Sequence, residues 1–344
     1  MRAWLPIEPR PALVLAPMQD VTHHAFMGLM ARFGGPDWYV TEYFRVYPGS
    51  RADRHILKCI EQNPTGRPMV AQMIGRDIAD MVRIARQLEA KGAAGIDLNL
   101  GCPAPVVYRK AAGGGLLRDP DQIDRILEAL RAEVRGPLTV KTRIGFSSAS
   151  EFPRLLEVFA RHAIDGLVVH GRTVRDGYST PVDTEAIALA VRTLPCPVVA
   201  NGNAVSARTI LELQRRTGAA GVMVGRGAIR NPWVFKQSIE LAAGRHPIQP
   251  SYRDCLKYVR LLWDAVVIPG TREAGMVAAM KKFMNFIAEG VDEKGEFLHG
   301  IRRASKAAEF HALCDRFLDR DGSPPDEPPL ESKSFRGFGP LRPQ

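Results

Sequence analysis

The sequence predicts an α/β fold, a (β/α)8 (TIM) barrel followed by a small C-terminal helical domain. Between residues 12 and 224, short apolar runs alternate with longer segments of helical periodicity, which is the pattern of βα units around a parallel sheet. After Pro250 this alternation stops, and the apolar spacing becomes that of helices alone. The length of 344 residues suits one barrel of ~250 residues with an appendage.

The apolar runs are the predicted barrel strands. They are ALVLA (12–16), WYVTE (38–42), MVAQM (69–73), GIDLN (95–99), LTVKTR (138–143), GLVVHG (166–171), PVVANG (197–202) and GVMVGRG (221–227). Helical stretches such as 78–91 and 122–134 lie between them and should form an outer ring. Polar residues gather at the downstream ends of the runs, and in a barrel those ends meet at the catalytic face.

The domain boundaries follow from the same patterns. We expect a catalytic barrel over 1–245, a helical domain over 246–318 and a flexible tail over 319–344, where Pro, Gly, Ser and charged residues bury little apolar surface. No run of ~18 apolar residues could span a bilayer, and the first ten residues lack the apolar core of a signal peptide. We therefore expect a cytoplasmic protein that does not enter a membrane. A monomer is a separate expectation, which these features do not establish.

The composition favours a polyanionic partner. The 47 Lys and Arg residues exceed the 37 Asp and Glu residues, which gives a net charge of +10 and favours polyanion binding through counterion release. Charge alone does not choose between a nucleic acid and an anionic membrane surface. The 5 cysteines are odd in number and form no CxxC pair, so we expect neither a disulfide framework nor a metal site.

Cys102 is the candidate catalytic residue. It lies in LNLGCP (98–103), directly after a predicted strand, where the flanking Gly and Pro favour a tight loop at the barrel mouth. A lone cysteine usually fills a core, but a cysteine in a polar loop at the catalytic end is more often functional. Free cysteine has a pKa of ~8.5, so a thiol that is protonated at neutral pH can act as a general acid.

Charged side chains mark the next two predicted strands. Lys141 and Arg143 alternate along one strand and therefore share a face, which we expect to be the barrel interior. An ion pair at the barrel rim is the alternative for both. His170 ends the following strand, where it is either a site residue or a structural histidine.

Two glycine-bearing turns predict a phosphate site. Asn201-Gly202-Asn203 and Gly225-Arg226-Gly227 close the last two strands, where barrels commonly bind phosphate on backbone N–H groups. Arg226 would add a positive charge. Helix capping is the alternative for each turn, but the pair of turns at these strands favours a phosphorylated ligand.

Other polar residues are candidates for substrate contact. Gln72 and Asn99 carry paired donor and acceptor groups suited to the edge of a flat heterocycle, or either could cap a loop. The segment AGGG (112–115), after Arg109 and Lys110, is expected to be a flexible basic lid, with a mobile linker as the alternative.

The helical domain offers a second set of basic residues. Lys281 and Lys282 stand out there, although residues 250–318 hold only 11 basic against 9 acidic residues. Runs of charged residues usually form solvated faces. We expect this domain to contact RNA, but its charge alone does not show it.

The ordered set of motifs resembles the dihydrouridine synthase family. The matching segments, in family order, are APM (16–18), TEYFRV (41–46), LNLGCP (98–103), AGGGLL (112–117), VKTR (140–143), VHGRT (169–173), NGN (201–203) and GRG (225–227). Each motif alone is weak, but the ordered set with the cysteine segment is specific. The resemblance covers the barrel and extends weakly into the helical domain.

The resemblance implies roles for the site residues. FMN would be bound by Pro17, Met18, Gln72, Lys141, His170, Asn201, Gly202, Asn203, Gly225 and Arg226. The tRNA substrate would contact Asn99, Arg143, Arg172, Arg109, Lys110, Lys281 and Lys282. NADPH would reduce FMN, hydride would pass to carbon 6 of a flipped uracil, and Cys102 would protonate carbon 5. The motifs lean toward bacterial members that modify the D-loop near position 16.

The chain also departs from the family pattern. Pro105 and Val106 follow Cys102 where many members carry lysines, and Lys282-Phe283 replaces a basic residue and histidine pair. Two alternatives remain open: an FMN-dependent dehydrogenase of a free pyrimidine, and a non-catalytic RNA-binding protein on the same scaffold. The helical domain and net charge disfavour the first, and the set of Cys102, Lys141 and His170 disfavours the second.

Overall fold

The computed structural model describes residues 10–178, 180–268 and 270–329. Its centre is a closed barrel of parallel strands. The strands are β1 (Ala12–Leu15), β2 (Trp38–Val40), β3 (Phe44–Arg45), β4 (Met69–Ile74), β5 (Gly95–Leu100), β6 (Leu138–Arg143), β7 (Gly166–His170), β8 (Val198–Asn201) and β9 (Gly221–Val224).

The barrel closes through both neighbours of β1. This strand pairs with β2 on one side and with β9 on the other, and β2 pairs with β4, so the ladder from β4 to β9 completes the ring. The two-residue strand β3 continues the line of β2 along the end of β4. The eight predicted strands and the barrel are confirmed. The strand β3 was not predicted, because two residues are too few to form an apolar pattern.

Helices follow the strands around the barrel and then form a separate group. They are α1 (His24–Arg32), α2 (Arg54–Glu61), α3 (Ile78–Ala90), α4 (Pro105–Tyr108), α5 (Pro120–Glu133), α6 (Phe152–Arg161), α7 (Thr184–Thr193), α8 (Ala207–Thr217), α9 (Arg226–Arg230), α10 (Val234–Ala242), α11 (Tyr252–Val266), α12 (Glu273–Ile287), α13 (Glu296–Arg303) and α14 (Ala307–Leu318). Side chains at the N-caps of α3, α5, α7 and α8 accept backbone N–H bonds, which explains why those helices begin where they do. In the described part of the chain, no helix has the length and apolarity needed to cross a membrane.

Alternation along the strands divides the barrel core into two parts. Every second side chain points to the barrel axis, where Ala12, Val14, Trp38, Val168 and Met223 belong to one small apolar cluster. The remaining strand residues pack outward against the helices in a much larger cluster. This apolar cluster fills the amino-terminal part of the barrel interior. The polar residues that come later in the same strands therefore lie at the carboxyl end of the barrel.

The helical domain packs against the first and last βα units. Phe283 of α12 lies against Phe26 of α1 with ring centres 5.3 Å apart, and Tyr258 of α11 meets Phe33 at 5.4 Å. The Tyr258 hydroxyl also donates to the Ile229 carbonyl at 3.0 Å, which ties α11 to α9. These contacts attach α11 and α12 to the barrel, and α12 is the helix that reaches the cleft, through Phe286.

The start of the predicted flexible tail is docked on the protein. Arg253 pairs with Asp319 at 3.0 Å, and the Arg320 guanidinium lies 3.9 Å from the centre of the Tyr252 ring. The expectation of flexibility is therefore wrong for residues 319–329, because hydrogen bonds and ion pairs there replace the apolar burial that the composition lacks. The rest of the predicted tail, residues 330–344, lies outside the described residues.

Candidate active site

A cleft of about 730 Å³ opens at the carboxyl ends of the barrel strands. Of the residues singled out from sequence, it is lined by Pro17, Met18, Asn99, Cys102, Lys141, Arg143, His170, Asn201, Gly202, Asn203, Gly225 and Arg226. Arg45 adds a fourth cation to Lys141, Arg143 and Arg226, and the described lining residues include no carboxylate. The cleft is therefore suited to an anionic ligand of cofactor size.

The loop that carries Cys102 is fixed by Asn99. The Asn99 Oδ1 atom accepts hydrogen bonds from the backbone N–H groups of Gly101 and Cys102, both at 3.0 Å. Because Asn99 is itself the penultimate residue of β5, these bonds transmit the rigidity of the barrel to the cysteine. Asn99 thus caps the loop with its oxygen while also lining the cleft.

A buried polar network lies beneath this loop. Asn99 Nδ2 donates to Gln72 Oε1 at 2.7 Å, and Gln72 Nε2 donates to Asp97 Oδ2 at 2.8 Å. Thr139 donates to the other Asp97 oxygen at 2.6 Å, and burial raises the pKa of Asp97 to about 6. Gln72 is fully buried and does not line the cleft, so the structure places it behind Asn99 and not at the cofactor surface.

Arg143 joins two loops of the catalytic face. Its Nε atom donates to the Gly101 carbonyl at 2.9 Å, and its Nη1 atom donates to the carbonyls of Thr173 and Gly177, both at 2.8 Å. Arg143 is almost fully buried and still borders the cleft. Arg143 therefore holds the cysteine loop to the loop after β7, a positioning task that its alternation with Lys141 did not reveal.

The AGGG segment is not a lid. Gly113–Arg118 forms a buried 3-10 helix behind Cys102, and Gly114 N–H donates to the Cys102 carbonyl at 3.2 Å. A Cβ atom on Gly114 would come within 2.6 Å of Val174 Cγ2, and one on Gly115 within 2.4 Å of the Tyr108 carbonyl. The expectation of mobility is wrong because these glycines permit close packing. Arg109 and Lys110, just before the segment, are exposed.

Lys141 and His170 both line the cleft and are both largely buried. Burial, together with Arg143, lowers the pKa of Lys141 to about 8. Burial and the cations around it lower the pKa of His170 well below its ordinary value. Arg172 Nη1 lies 3.2 Å from His170 Nε2, and since a guanidinium only donates, Nε2 accepts and the imidazole proton resides on Nδ1.

Arg172 lies behind the cleft and does not line it. Its Nη2 atom donates to Asn203 Oδ1 at 2.9 Å, and its Nε atom donates to the Thr180 carbonyl. Its side chain is 1% exposed. The sequence predicted that Arg172 contacts the substrate. In the structure Arg172 instead contacts His170 and Asn203 from behind the cleft.

The two glycine turns lie against each other. Gly202 has a φ of +124°, and a Cβ atom there would come within 2.7 Å of Val182 Cγ2 and 3.0 Å of His170 Cδ2. A Cβ atom on Gly227 would reach 2.5 Å from the Ala204 carbonyl. Only glycine fits at both places. Asn201 ties the strands together by donating to the Met223 carbonyl at 2.8 Å.

Aromatic residues that sequence reasoning did not select also border the cleft. Tyr43 lines the cleft, and burial together with the neighbouring Cys102 raises the pKa of its hydroxyl. Tyr178 lies on the loop after β7, with the Arg226 guanidinium 4.3 Å from its ring centre and His170 at 5.8 Å. Phe286 reaches the cleft from α12. Tyr43 stands within the TEYFRV motif, whereas no periodic pattern marks Tyr178.

The paired lysines of α12 lie near the cleft without lining it. Lys282 Nζ is 3.6 Å from Asp20 Oδ2, an exposed pair that joins the helical domain to the loop after β1. Asp20 has a φ of +59°, and its N–H donates to Glu42 Oε2 at 2.9 Å, which fixes that loop. Lys282 therefore has a partner within the chain, and Lys281 is half-buried beside it.

The fold and cleft define a (β/α)8-barrel protein whose catalytic end presents a cysteine thiol beside four cationic side chains. Among the described residues, no group of three or more His, Cys, Asp or Glu side chains could hold a metal ion. The sequence profile described as dihydrouridine synthase matches residues 14–320. The chain belongs to the dihydrouridine synthase family.

Curated relatives agree with this assignment. A probable tRNA-dihydrouridine synthase of Rhodobacter capsulatus is 33% identical over 324 residues, which cover 91% of this chain and 97% of the relative. A tRNA-dihydrouridine(16) synthase of Ralstonia nicotianae is 32% identical, with 90% and 97% covered. One of Neisseria meningitidis serogroup A is 28% identical, with 89% and 94% covered.

Solved structures share the barrel at low sequence identity. Histamine dehydrogenase from Rhizobium sp. 4-9 superposes with a TM-score of 0.55 at 13% identity, over 73% of this chain and 49% of that one. A 2-naphthoyl-CoA reductase gives a TM-score of 0.53 at 14% identity, over 68% and 50%. At such identities the likeness shows the fold alone.

Proposed function

We propose that this chain reduces the 5,6 double bond of a uridine in tRNA, with FMN as cofactor and NADPH as reductant. Family membership supports the reaction. The observation that carries the proposal is the cleft itself, in which Cys102, Lys141 and His170 meet beside two glycine turns.

The residues of the cleft fit FMN. Four cations without a carboxylate among the described lining residues favour a phosphate, and the backbone at Gly202 approaches too closely for any side chain. Gly202, Asn203, Gly225 and Arg226 would hold the phosphate, while Pro17, Met18, Lys141 and His170 would border the ring system. Bound FMN supplies the hydride for carbon 6 of uracil.

Lys141 and His170 would tune the site in different ways. Lys141 is an ammonium below its lowered pKa of about 8 and can stabilise the negative charge of a reduced flavin. His170 stays neutral near neutral pH, because protonation would place another cation among Arg143, Lys141 and Arg172. Its Nδ1–H is then available as a donor, since Nε2 is occupied by Arg172.

Cys102 is the proposed proton donor. Its backbone N–H and carbonyl are both fixed, by Asn99 and Gly114, so the thiol is presented at one place in the cleft. As hydride reaches carbon 6, the S–H bond breaks and the proton passes to carbon 5, which leaves a thiolate that regains its proton from solvent. Tyr43, which lines the cleft near this sulfur, can donate a hydrogen bond to the thiolate.

The substrate must leave the tRNA stack to reach this thiol. Exposed Arg109 and Lys110 stand beside the cleft loop and are proposed contacts for the RNA backbone. Exposed Val106 and the α12 residue Phe286 give the mouth an apolar border that suits an unstacked base. Relatives from Ralstonia and Neisseria named for position 16 support a D-loop uridine as the target.

The test distinguishes three outcomes for the purified protein: reduction of tRNA, reduction of free uracil, and RNA binding without reduction. With FMN and NADPH, unmodified tRNA should gain dihydrouridine, detected by mass spectrometry of the nucleosides, while free uracil should stay unchanged. Reduction of free uracil without any RNA product would support a free-pyrimidine dehydrogenase and contradict the proposal. RNA binding with no reduction of either substrate would support a non-catalytic RNA-binding protein.

A further inference from the structure

The C-terminal segment 322–329 lies behind the two glycine turns of the cleft. Arg230 Nη2 donates to the Pro325 carbonyl at 2.7 Å, and Arg230 Nη1 donates to the Asp326 carbonyl at 2.9 Å. One residue further on, Glu327 Oε1 accepts from Ser206 Oγ at 2.8 Å and from Arg208 Nη2 at 2.6 Å. Three consecutive residues of the segment are thus bonded to two different helices of the barrel.

Both attachment points follow directly on the turns that line the cleft. Arg230 is the last residue of α9, which begins at Arg226. Ser206 is the N-cap of α8, and its loop begins at Gly202. The segment therefore links the two helices whose first turns face the proposed phosphate site.

The helix α9 depends on contacts from outside the barrel. It has 5 residues, which is too short for a helix to hold its own position. Its end is held by the Tyr258 hydroxyl at the Ile229 carbonyl, 3.0 Å, and by Arg230. Since Gly227 packs on the backbone of Ala204, a displacement of α9 would also move the Gly202 turn.

The electrostatics of Arg230 make this attachment specific. Its side chain is buried, and its Nε atom also donates to the Glu289 carbonyl at 3.4 Å. Asp326 and Glu327 contribute favourable charge interactions, which partly offset the burial of the guanidinium. Without the segment, Arg230 would lose two carbonyl partners and both of these carboxylates.

We propose that residues 322–329 form a clasp that holds Arg226 and the Gly202 turn in place around the cofactor phosphate, with Arg230 as the positioning residue. The clasp rests on the proposed function, because it presumes FMN in the cleft. It extends that function, because FMN binding then depends on the C-terminal segment and on the helical domain. The helical domain would otherwise serve only to bind RNA.

Two truncations of the full chain test the clasp. Ending the chain after Ser323 removes the clasp residues that bond Arg230 and Ser206, while ending it after Pro329 keeps them and is the matched control. FMN affinity and dissociation rate are followed by flavin fluorescence. We expect the Ser323 truncation to weaken FMN binding by at least ~10-fold, as the loss of charge-assisted hydrogen bonds implies. The control should bind FMN like the full chain.

Arg230→Lys provides the second variant, in case the shorter chain does not fold. It keeps the charge but cannot bridge the Pro325 and Asp326 carbonyls as a guanidinium does. We expect FMN affinity to fall by about threefold, and the melting temperature of the cofactor-free protein to fall as well, because buried carbonyls lose their donors.

The outcomes separate the clasp from the proposed function. If the full chain does not bind FMN, the proposed function fails. If the full chain binds FMN and a folded Ser323 truncation binds it equally well, the clasp is wrong. The clasp is also wrong if Arg230→Lys binds FMN as tightly as the full chain. It is equally wrong if either variant has a lower melting temperature but an unchanged FMN affinity.

Discussion

The two halves of the cleft are built by different means. Around Cys102, side chains do the positioning: Asn99 bonds two backbone N–H groups and Arg143 bonds three carbonyls. Around the proposed phosphate site, the backbone that lines the cleft is itself shaped by Gly202, at which no Cβ atom fits. The crowded glycines of the thiol half, Gly114 and Gly115, lie behind the Cys102 loop and do not line the cleft. The thiol half should therefore lose turnover when individual polar groups are removed, and the phosphate half should lose FMN affinity when a single methyl group is added at Gly202.

The largest expected effect is on the thiol half. Cys102→Ala should reduce dihydrouridine formation roughly a thousandfold, because a general acid contributes about that much. FMN content and NADPH oxidation should stay near wild type, since the phosphate half is intact. Rapid-quench assays with pre-reduced enzyme would measure this, and Cys196→Ala, a half-buried cysteine outside the cleft, is the control. Full activity of Cys102→Ala would remove the thiol from the mechanism.

The next largest effect should come from the phosphate half. Gly202→Ala places a methyl group 2.7 Å from Val182 Cγ2 at a φ of +124°, so the turn must shift. We expect FMN affinity to fall ~100-fold, which corresponds to ~2.7 kcal/mol. Gly218→Ala, at a φ of +66° with its nearest neighbour 3.8 Å away, is the matched control and should leave FMN affinity unchanged. Equal affinities in the two variants would contradict the account of this half.

A smaller effect is expected when the Cys102 loop is released. Asn99→Ala removes both backbone bonds and leaves the Gln72 amide oxygen without its donor, so turnover should fall ~10-fold or more, with about 2 kcal/mol lost from the free energy of unfolding. FMN affinity should change little. Asn63→Ala, in an exposed turn, is the comparison. If FMN affinity fell as much as turnover, the two halves would not be separable.

The smallest effect concerns pH. The pKa of Lys141 is lowered to about 8, so the ammonium is present below this pH and is lost as the pH rises through it. Stabilisation of a reduced flavin should therefore decline above pH ~8, with turnover falling a few-fold. Lys141→Arg keeps its charge and should shift this decline to higher pH. An identical pH profile in the two proteins would exclude Lys141 as its source.

Sequence periodicity was enough for the frame of the molecule. The strands and the inward set of Asn99, Lys141, Arg143, His170 and Asn201 follow from a period of two, and their convergence follows from barrel geometry. Local pattern does not show which of two neighbouring polar residues reaches a ligand. Gln72 and Arg172, which the sequence suggested as ligand contacts, lie behind the cleft against Asn99 and His170 and do not line it.

Long-range packing explains the expectations that were wrong. The AGGG segment is rigid because Val174 and Tyr108 pack against it, and neither contact has a trace in the composition of the segment. Pro325 and Asp326 are attached to the barrel because Arg230 donates to their backbone carbonyls, acceptors that every residue type possesses. Such partners become visible only in three dimensions.

The most direct test of the central claim is the mapping of dihydrouridine in tRNA from a strain that lacks the gene. We predict that a D-loop dihydrouridine is lost, that the wild-type gene restores it, and that Cys102→Ala does not. Unchanged dihydrouridine throughout the tRNA of the deletion strain, or full restoration by Cys102→Ala, would contradict the account.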